Sequence, residues 1–345
     1  MATNVPSSSS IQKGSRKGGV RISTRAIVTL LVITFAASGV GAYLAFGNRA
    51  PPELVRIDGS STVYPITSAW AGEFNNPGRQ VVVAFSGTGG GFAKFCRGET
   101  DLSDASRPIK QSERDACTAS GITGIVEFTI AFDGLSVVVN HANTWVDHLT
   151  VGQLCRIWTQ NTSAGACGGA GGQVTQWNEL NSSWPARRIK LYGPGTASGT
   201  FDYFVEVILT DRRTNDRIRS DYIGSENDNV LVQGIANDLD ALGYFGYAYV
   251  VENTARVKAL AIDDGNASNG AGPVFPSEPT IKDGTYAPLS RPLFIYASNR
   301  SLGRQVVRDF LRFGFSDRGT QLVAGTGYVG LTPTQIAVEV AKIPP

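Results

Sequence analysis

Four cysteines and two histidines are all that 345 residues offer for thiolate or imidazole chemistry, and neither set is arranged for it. No C-x-x-C pair occurs, and His141 and His148 do not stand at metal-ligand spacing, which argues against a zinc site built from the four thiolates. There is no G-x-S-x-G elbow and no serine motif paired with either histidine of the NHANTWVDH segment, so the signatures of a serine hydrolase are missing. The glycine-rich turns SGTGGG at 86–91 and GTASGT at 195–200 are followed by no Gly-Lys-Ser/Thr, and neither has the G-x-G-x-x-G dinucleotide spacing. No cofactor is called for by any of these patterns.

Acidic residues are missing from the first 50 positions, which hold six of the 31 basic ones. Beyond them 25 basic residues face 29 acidic ones, a net charge of −4, so the slightly basic whole chain gives no support for a nucleic-acid partner. Residues 1–25, Ser/Gly-rich and basic, read as a disordered tail. AIVTLLVITFAASGVGAYLAFG at 26–47 carries no charge over 22 residues. A helical span needs ~20 apolar residues, whereas a cleavable secretory core is only ~7–15 long, so a membrane anchor is favoured over a cleaved signal. Lys13, Arg16, Lys17, Arg21 and Arg25 precede the span and only Arg49 follows it closely. The positive-inside rule then puts the tail in the cytoplasm and the body outside.

Cys96, Cys117, Cys155 and Cys167 all lie in the exported part, where an oxidising compartment favours disulfides. Three pairings exist. The local closures Cys96–Cys117 and Cys155–Cys167 are favoured.

Three times a strand pattern runs through small hydroxyl and glycine residues into a helix start. VRIDGSSTVYPITSAWAGEF is the first case, QVVVAFSGTGGGFAKF the second and RIKLYGPGTASGTFDYF the third. This is the order of βα corners in an α/β sheet, where ligands collect at strand carboxyl ends. Helix N-terminal N–H groups lack intrahelical partners and attract anions, and glycine lets the backbone approach closely. Each of Ser61, Thr62, Thr88 and Ser198 also fits a plain helix cap. A fourth element, DLSDASRPIK at 101–110, offers the planar fork of Arg107 beside Ser106, with a surface ion pair to Asp101 or Asp104 as the competing use. FTIAFDGLSVVVN at 128–140 and APLSRPLFIYAS at 287–298 read as long buried strands, and Tyr244, Tyr247 and Tyr249 as aromatics of one strand.

Taken together, IDGSSTVYPIT at 57–67, FSGTGGGF at 85–92, CRGETDLSDASRPI at 96–109, GTASGTFDYF at 195–204, GYFGYAY at 243–249 and PLSRPLFIY at 288–296 resemble the phosphate-binding proteins of the PstS type. These are extracytoplasmic receptors of the phosphate ABC transporter, and the resemblance covers about residues 55–340. It implies an α/β, two-lobe periplasmic-binding-protein fold of type II, with residues 54–135 plus 289–345 as one lobe and 136–288 as the other. It implies a monomer that takes inorganic phosphate into the cleft and delivers it to a permease, without catalysis.

Carried over position by position, the phosphate contacts fall on Ser61, Thr62 and the Val63 backbone, on Thr88, Gly89 and Gly90, on Asp104, Ser106 and Arg107, and on Ser198, Gly199 and Thr200. Asp104 falls where the family has the carboxylate that accepts the proton of monohydrogen phosphate. Sulfate has no such proton, so this acceptor separates the two anions. One departure stands out: the family's arginine four residues before the serine of SGT is Pro194 here, and Arg107 is the expected replacement charge. The alternatives are a receptor for another oxyanion such as sulfate, and a phosphatase-like hydrolase using a serine of the same turns.

Overall fold

The computed structural model describes residues 51–196, 198–210 and 217–345; the tail and the candidate membrane segment at 26–47 lie outside them. No helix among the described residues is long and apolar enough to cross a membrane. The strands are β1 (Glu53–Gly59), β2 (Arg79–Val83), β3 (Leu102–Ala105), β4 (Val126–Asn140), β5 (His148–Thr150), β6 (Lys190–Pro194), β7 (Ile223–Ser225), β8 (Ala241–Gly246), β9 (Val257–Ala259), β10 (Ala261–Asp263) and β11 (Ser290–Ala297).

Each expected corner forms. β1 leads into the helix Tyr64–Phe74, β2 into Thr88–Cys96, and β6 into Gly199–Phe204, which continues as a π-helical stretch over Val205–Thr210. β1 pairs in parallel with both β2 and β3, and β6 in parallel with both β7 and β8. Parallel pairing puts the carboxyl ends of neighbouring strands, and the turns that follow them, on one side.

The sheet order β2-β1-β3-β11-β4-β8-β6-β7 joins the two parallel halves through β11 and β4, with β9 added on β4 and a small separate β10-β5 pair. β4 pairs with β11 over Val126–Gly134 and with β8 over Leu135–Val139, so one strand crosses from half to half. Every residue from Ile130 to Asn140 is buried, as expected of a strand covered on both faces. Two separate cores flank this crossing. One gathers Val55, Ile57, Trp70, Phe74, Phe128 and Phe310; the other gathers Val137, Trp158, Trp177, Phe204, Tyr244 and Leu289. Two cores on a common pair of crossing strands make a two-lobe α/β fold.

Both disulfides are the local closures. Cys96–Cys117 ties the helix Thr88–Cys96 to Gln111–Ala119, and Cys155–Cys167 ties Val151–Trp158 to the loop after it. One expectation is corrected: β8 ends at Gly246, and Tyr247 and Tyr249 lie on the short helix Tyr247–Glu252. Only Tyr244 is a strand residue, stacked on Phe204 with ring centroids 3.8 Å apart. A run of aromatics cannot mark its own strand end, because aromatic side chains suit both a strand and a buried helix face.

Candidate functional site

A cavity of about 190 Å³ opens where the turns meet, lined by Ser60, Ser61, Thr62, Gly87, Thr88, Ser106, Arg107, Asp202, Tyr203, Glu206 and Arg291. At ~30 Å³ per water this is room for a handful of waters, or one small ion with some of its hydration. It is well below the ~300 Å³ at which sites for drug-sized organic ligands begin.

The first turn is held from behind. Ser60 N–H donates to the Asp104 carbonyl at 2.9 Å, and the Ser60 hydroxyl accepts from Thr62 N–H at 3.2 Å. Val63, fully buried, is the N-cap of Tyr64–Phe74 and makes no side-chain cap bond, so neither Ser61 nor Thr62 is spent as a cap. Both residues line the cavity. In the second turn the N-cap is Gly87, at φ 78°, a left-handed value that favours glycine. Thr88 is therefore not the cap either. Its hydroxyl accepts from Ser106 N–H at 3.2 Å and lies 3.2 Å from the Ser106 hydroxyl, stitching this turn to the one after β3.

The neighbouring glycines divide their tasks. A Cβ on Gly89 would lie 3.8 Å from the Arg107 guanidinium, beside the site. One on Gly90 would meet the Ser86 hydroxyl oxygen at 2.6 Å, and one on Gly91 would meet Gly59 Cα at 2.4 Å. Gly91 thus serves the approach of helix to strand.

From the other lobe, Ser198 caps Gly199–Phe204, its hydroxyl accepting from Thr200 N–H at 3.2 Å. A Cβ on Gly199 would come within 2.6 Å of Thr62 Oγ1 and 3.0 Å of Thr62 Cα, so the two lobes touch at this glycine.

Asp104 has no exposed surface. Its Oδ2 accepts from Thr67 at 2.7 Å, and Oδ1 is buried without a hydrogen-bond partner. Burial pushes its carboxyl up to about 8, against the pull of the Thr67 hydrogen bond and with the charge of nearby Asp58 adding to the rise. Arg107 pairs with neither aspartate considered for it. Its two terminal nitrogens bind the Glu113 carboxylate at 2.9 and 2.8 Å, and that hydrogen bond holds the guanidinium even more firmly protonated. Burial alone would raise Glu113, but Arg107 and the Lys110 N–H carry it below the usual range.

Of the twelve expected residues, Ser61, Thr62, Thr88, Ser106 and Arg107 line the cavity; Val63, Gly89, Gly90, Ser198, Gly199 and Thr200, at the helix starts, and Asp104, on β3, are not among its lining. The sequence reading missed Arg291, Tyr203, Asp202 and Glu206. Arg291 Nη2 donates to Thr62 Oγ1 at 3.1 Å, its Nε lies 3.3 Å from Asp133 Oδ2, and its guanidinium stacks 3.6 Å from the Tyr203 ring centre. The signal was present as a single arginine in an otherwise apolar strand run, APLSRPLFIYAS, and a single aspartate in another, FTIAFDGLSVVVN.

Two lobes on crossing strands, with polar turns of one and a helix of the other closing on a small cavity, define a substrate-binding protein of the periplasmic type. Residues 40–318 match the family model described as PBP superfamily domain. The protein SphX of Synechococcus elongatus is 42% identical over 309 residues, 89% of this chain and 85% of that protein. The phosphate-binding protein PstS of Staphylococcus haemolyticus is 36% identical over 277 residues, covering 79% of each. A crystal structure of a possible phosphate binding protein from Planctomyces limnophilus superposes with a TM-score of 0.75 at 43% identity, over 85% of this chain and 99% of that one. This chain belongs to the PstS-type phosphate-binding proteins.

Proposed function

We propose that this protein is an extracytoplasmic receptor that binds inorganic phosphate in the cleft between its lobes and delivers it to an ABC transporter permease. The observation that carries the reading is the convergence on one 190 Å³ cavity of the turns after β1, β2 and β3, met at Gly199–Thr62 by the turn after β6. Hydroxyls and helix N-terminal amides replace the water of the anion, and because donors come from both lobes, binding favours the closed form. The ligands in this reading are Ser61, Thr62, the Val63 amide, Thr88, Gly89, Gly90, Ser106, Arg107, Ser198, Gly199 and Thr200. The unpartnered Oδ1 of Asp104, behind the cavity, is the acceptor for the phosphate proton once the carboxyl gives up its own.

The lobes are residues 54–135 with 289–345, and 136–288, hinged on β4 and β11. Residues 26–47 anchor the chain, a monomer, in the membrane with its body outside. Membership of a family of binding proteins makes the chain a receptor rather than an enzyme, which removes the phosphatase-like alternative. A receptor for another oxyanion such as sulfate remains the second reading, because Pro194 stands where the family has an arginine.

Thermal unfolding with added anions tests this. A ligand that binds only the folded state stabilises it by RT ln(1 + [L]/Kd), about 4 kcal/mol at a thousandfold excess over Kd. Phosphate is expected to raise the melting temperature and equimolar sulfate to leave it unmoved. Equal shifts by both anions would make the protein a general oxyanion receptor, and no shift by either would remove the cleft assignment.

A further inference from the structure

We infer that Arg291, carried by the crossing strand β11, is the cation that neutralises the bound oxyanion, and that Asp133, facing it on the crossing strand β4, is the positioning residue that aims it. This rests on the receptor reading above and adds to it a cation whose donors are not taken up by a carboxylate, as those of Arg107 are by Glu113.

A dianion taken out of water needs compensating charge as well as hydrogen bonds. The place where the family has an arginine is Pro194, whose carbonyl is occupied by the Tyr222 hydroxyl at 3.2 Å. Among the described lining residues the cations are Arg107 and Arg291. Arg107 has both terminal nitrogens bound to Glu113, so its fork is already filled by a carboxylate. Arg291 is different. Its Asp133 contacts are longer, with Nε and Nη2 each 3.3 Å from Oδ2, and Nη1 is 4.0 Å from Glu206, outside hydrogen-bond range. One edge of the guanidinium is therefore held by Asp133 while Nη1 keeps donors for a ligand.

Arg291 also orients the threonine of the first turn. Thr62 Oγ1 accepts from Nη2, which directs the threonine's own proton away from the arginine. Both groups line the same cavity, so that proton is left for the anion.

Burial and register show that the pair is built in. The Arg291 side chain is 12% exposed and that of Asp133 only 3%. The two residues are cross-strand partners in the antiparallel β4–β11 pairing. A buried aspartate costs desolvation, visible in the upward push on its carboxyl that Arg291 partly reverses, and that cost is offset only while the arginine stays opposite. Because β4 and β11 are the strands that cross between lobes, the charge sits at the pivot.

Calorimetric titration of the purified full-length chain with phosphate, beside Arg291→Gln, Arg291→Lys, Asp133→Asn and the Gln/Asn double variant, tests the assignment. Thermal unfolding without ligand accompanies each variant. Arg291→Gln is expected to weaken phosphate binding by about 10- to 150-fold, the range for a lost charged hydrogen bond. Arg291→Lys keeps the charge without the fork, so it recovers part of the affinity; should Arg291→Gln fail to fold, a loss of affinity in folded Arg291→Lys carries the same conclusion. Asp133→Asn weakens binding by a smaller factor, and it adds nothing in the Arg291→Gln background, since an aimer without its cation has no effect. Arg291→Gln binding phosphate within twofold of the unaltered chain would overturn this assignment alone. Additive effects of the two changes would overturn the positioning role of Asp133. Absence of phosphate binding by the unaltered chain would overturn the receptor reading and this assignment with it.

Discussion

At Asp104 the fold buries a carboxyl completely and gives it a single hydroxyl donor. The group's folded value of about 8 lies above the ordinary ~3.9, so the folded state holds the proton more tightly than the unfolded one. Its stabilising contribution is complete below about pH 4 and is lost as pH rises through about 8. An Asp104→Asn chain carries no such titration. Urea unfolding of the two ligand-free forms at pH 4.5 and pH 8 should therefore show the variant gaining relative to the parent as pH rises, by up to roughly 1.4 kcal/mol per pH unit. A gap that stays constant with pH would mean that Asp104 is ionised in the folded protein throughout.

Gly199 supports a second prediction at this scale. At the start of a helix, Gly to Ala is ordinarily neutral or helpful. Here the added methyl would press on Thr62 across the lobes. Overpacking costs about 1–3 kcal/mol, so phosphate affinity in Gly199→Ala should fall by roughly five- to 150-fold. The lobes already meet at this glycine in the described structure, so ligand-free melting should fall as well, and the loss of affinity is judged against that fall. Unchanged affinity would mean that the closed state does not need this contact.

At the scale of elements, the run FSGTGGGFAKF was legible as a strand-to-helix corner, and its glycines pointed to bare backbone. Which glycine faces an anion was not legible. Gly91 proves to be the residue that lets the helix Thr88–Cys96 lie on β1, with Asp58 O 2.8 Å and Gly59 Cα 2.4 Å from a Cβ placed there. Ala is the better helix former by about 1 kcal/mol, yet Gly91→Ala should destabilise the ligand-free protein by about 1–3 kcal/mol in chemical denaturation. A stabilised variant would show that the helix has space to move off the strand.

The disulfides belong to this scale too. Cys155–Cys167 closes a loop of 12-residue separation with both sulfur-bearing residues buried. Replacing both by alanine should lower stability by about 2–4 kcal/mol, measured by denaturant midpoint under oxidising conditions.

Local pattern was enough for β4 and β11, which appeared as apolar runs of unusual length. It was not enough for the ion pair between them. Asp133 and Arg291 are 158 positions apart, and only the antiparallel register brings them together. Periodicity reports which way one residue faces along its own strand; it carries nothing about the strand that lies opposite. Arg107 shows the converse. Its fork shape was legible, but Glu113, six residues on, occupies it.

For the whole molecule, each lobe packs on its own core, with β4, β11 and Leu331 linking the two, and the proposed function has these lobes open and close. A ligand shifts such an equilibrium only by its difference in affinity for the two states. In the proposed receptor, donors drawn from both lobes, Ser61 and Thr88 on one side and the Ser198–Thr200 turn beside the cavity on the other, would supply that difference, with Arg291 as the proposed charge.

The most direct measurement is a calorimetric titration of the purified chain with phosphate at pH 7.5, followed by phosphate added to protein pre-equilibrated with excess sulfate. The account predicts a single saturable site, one phosphate per chain, with an isotherm that sulfate leaves in place. No saturable heat with phosphate, together with no displacement of labelled phosphate, would contradict it.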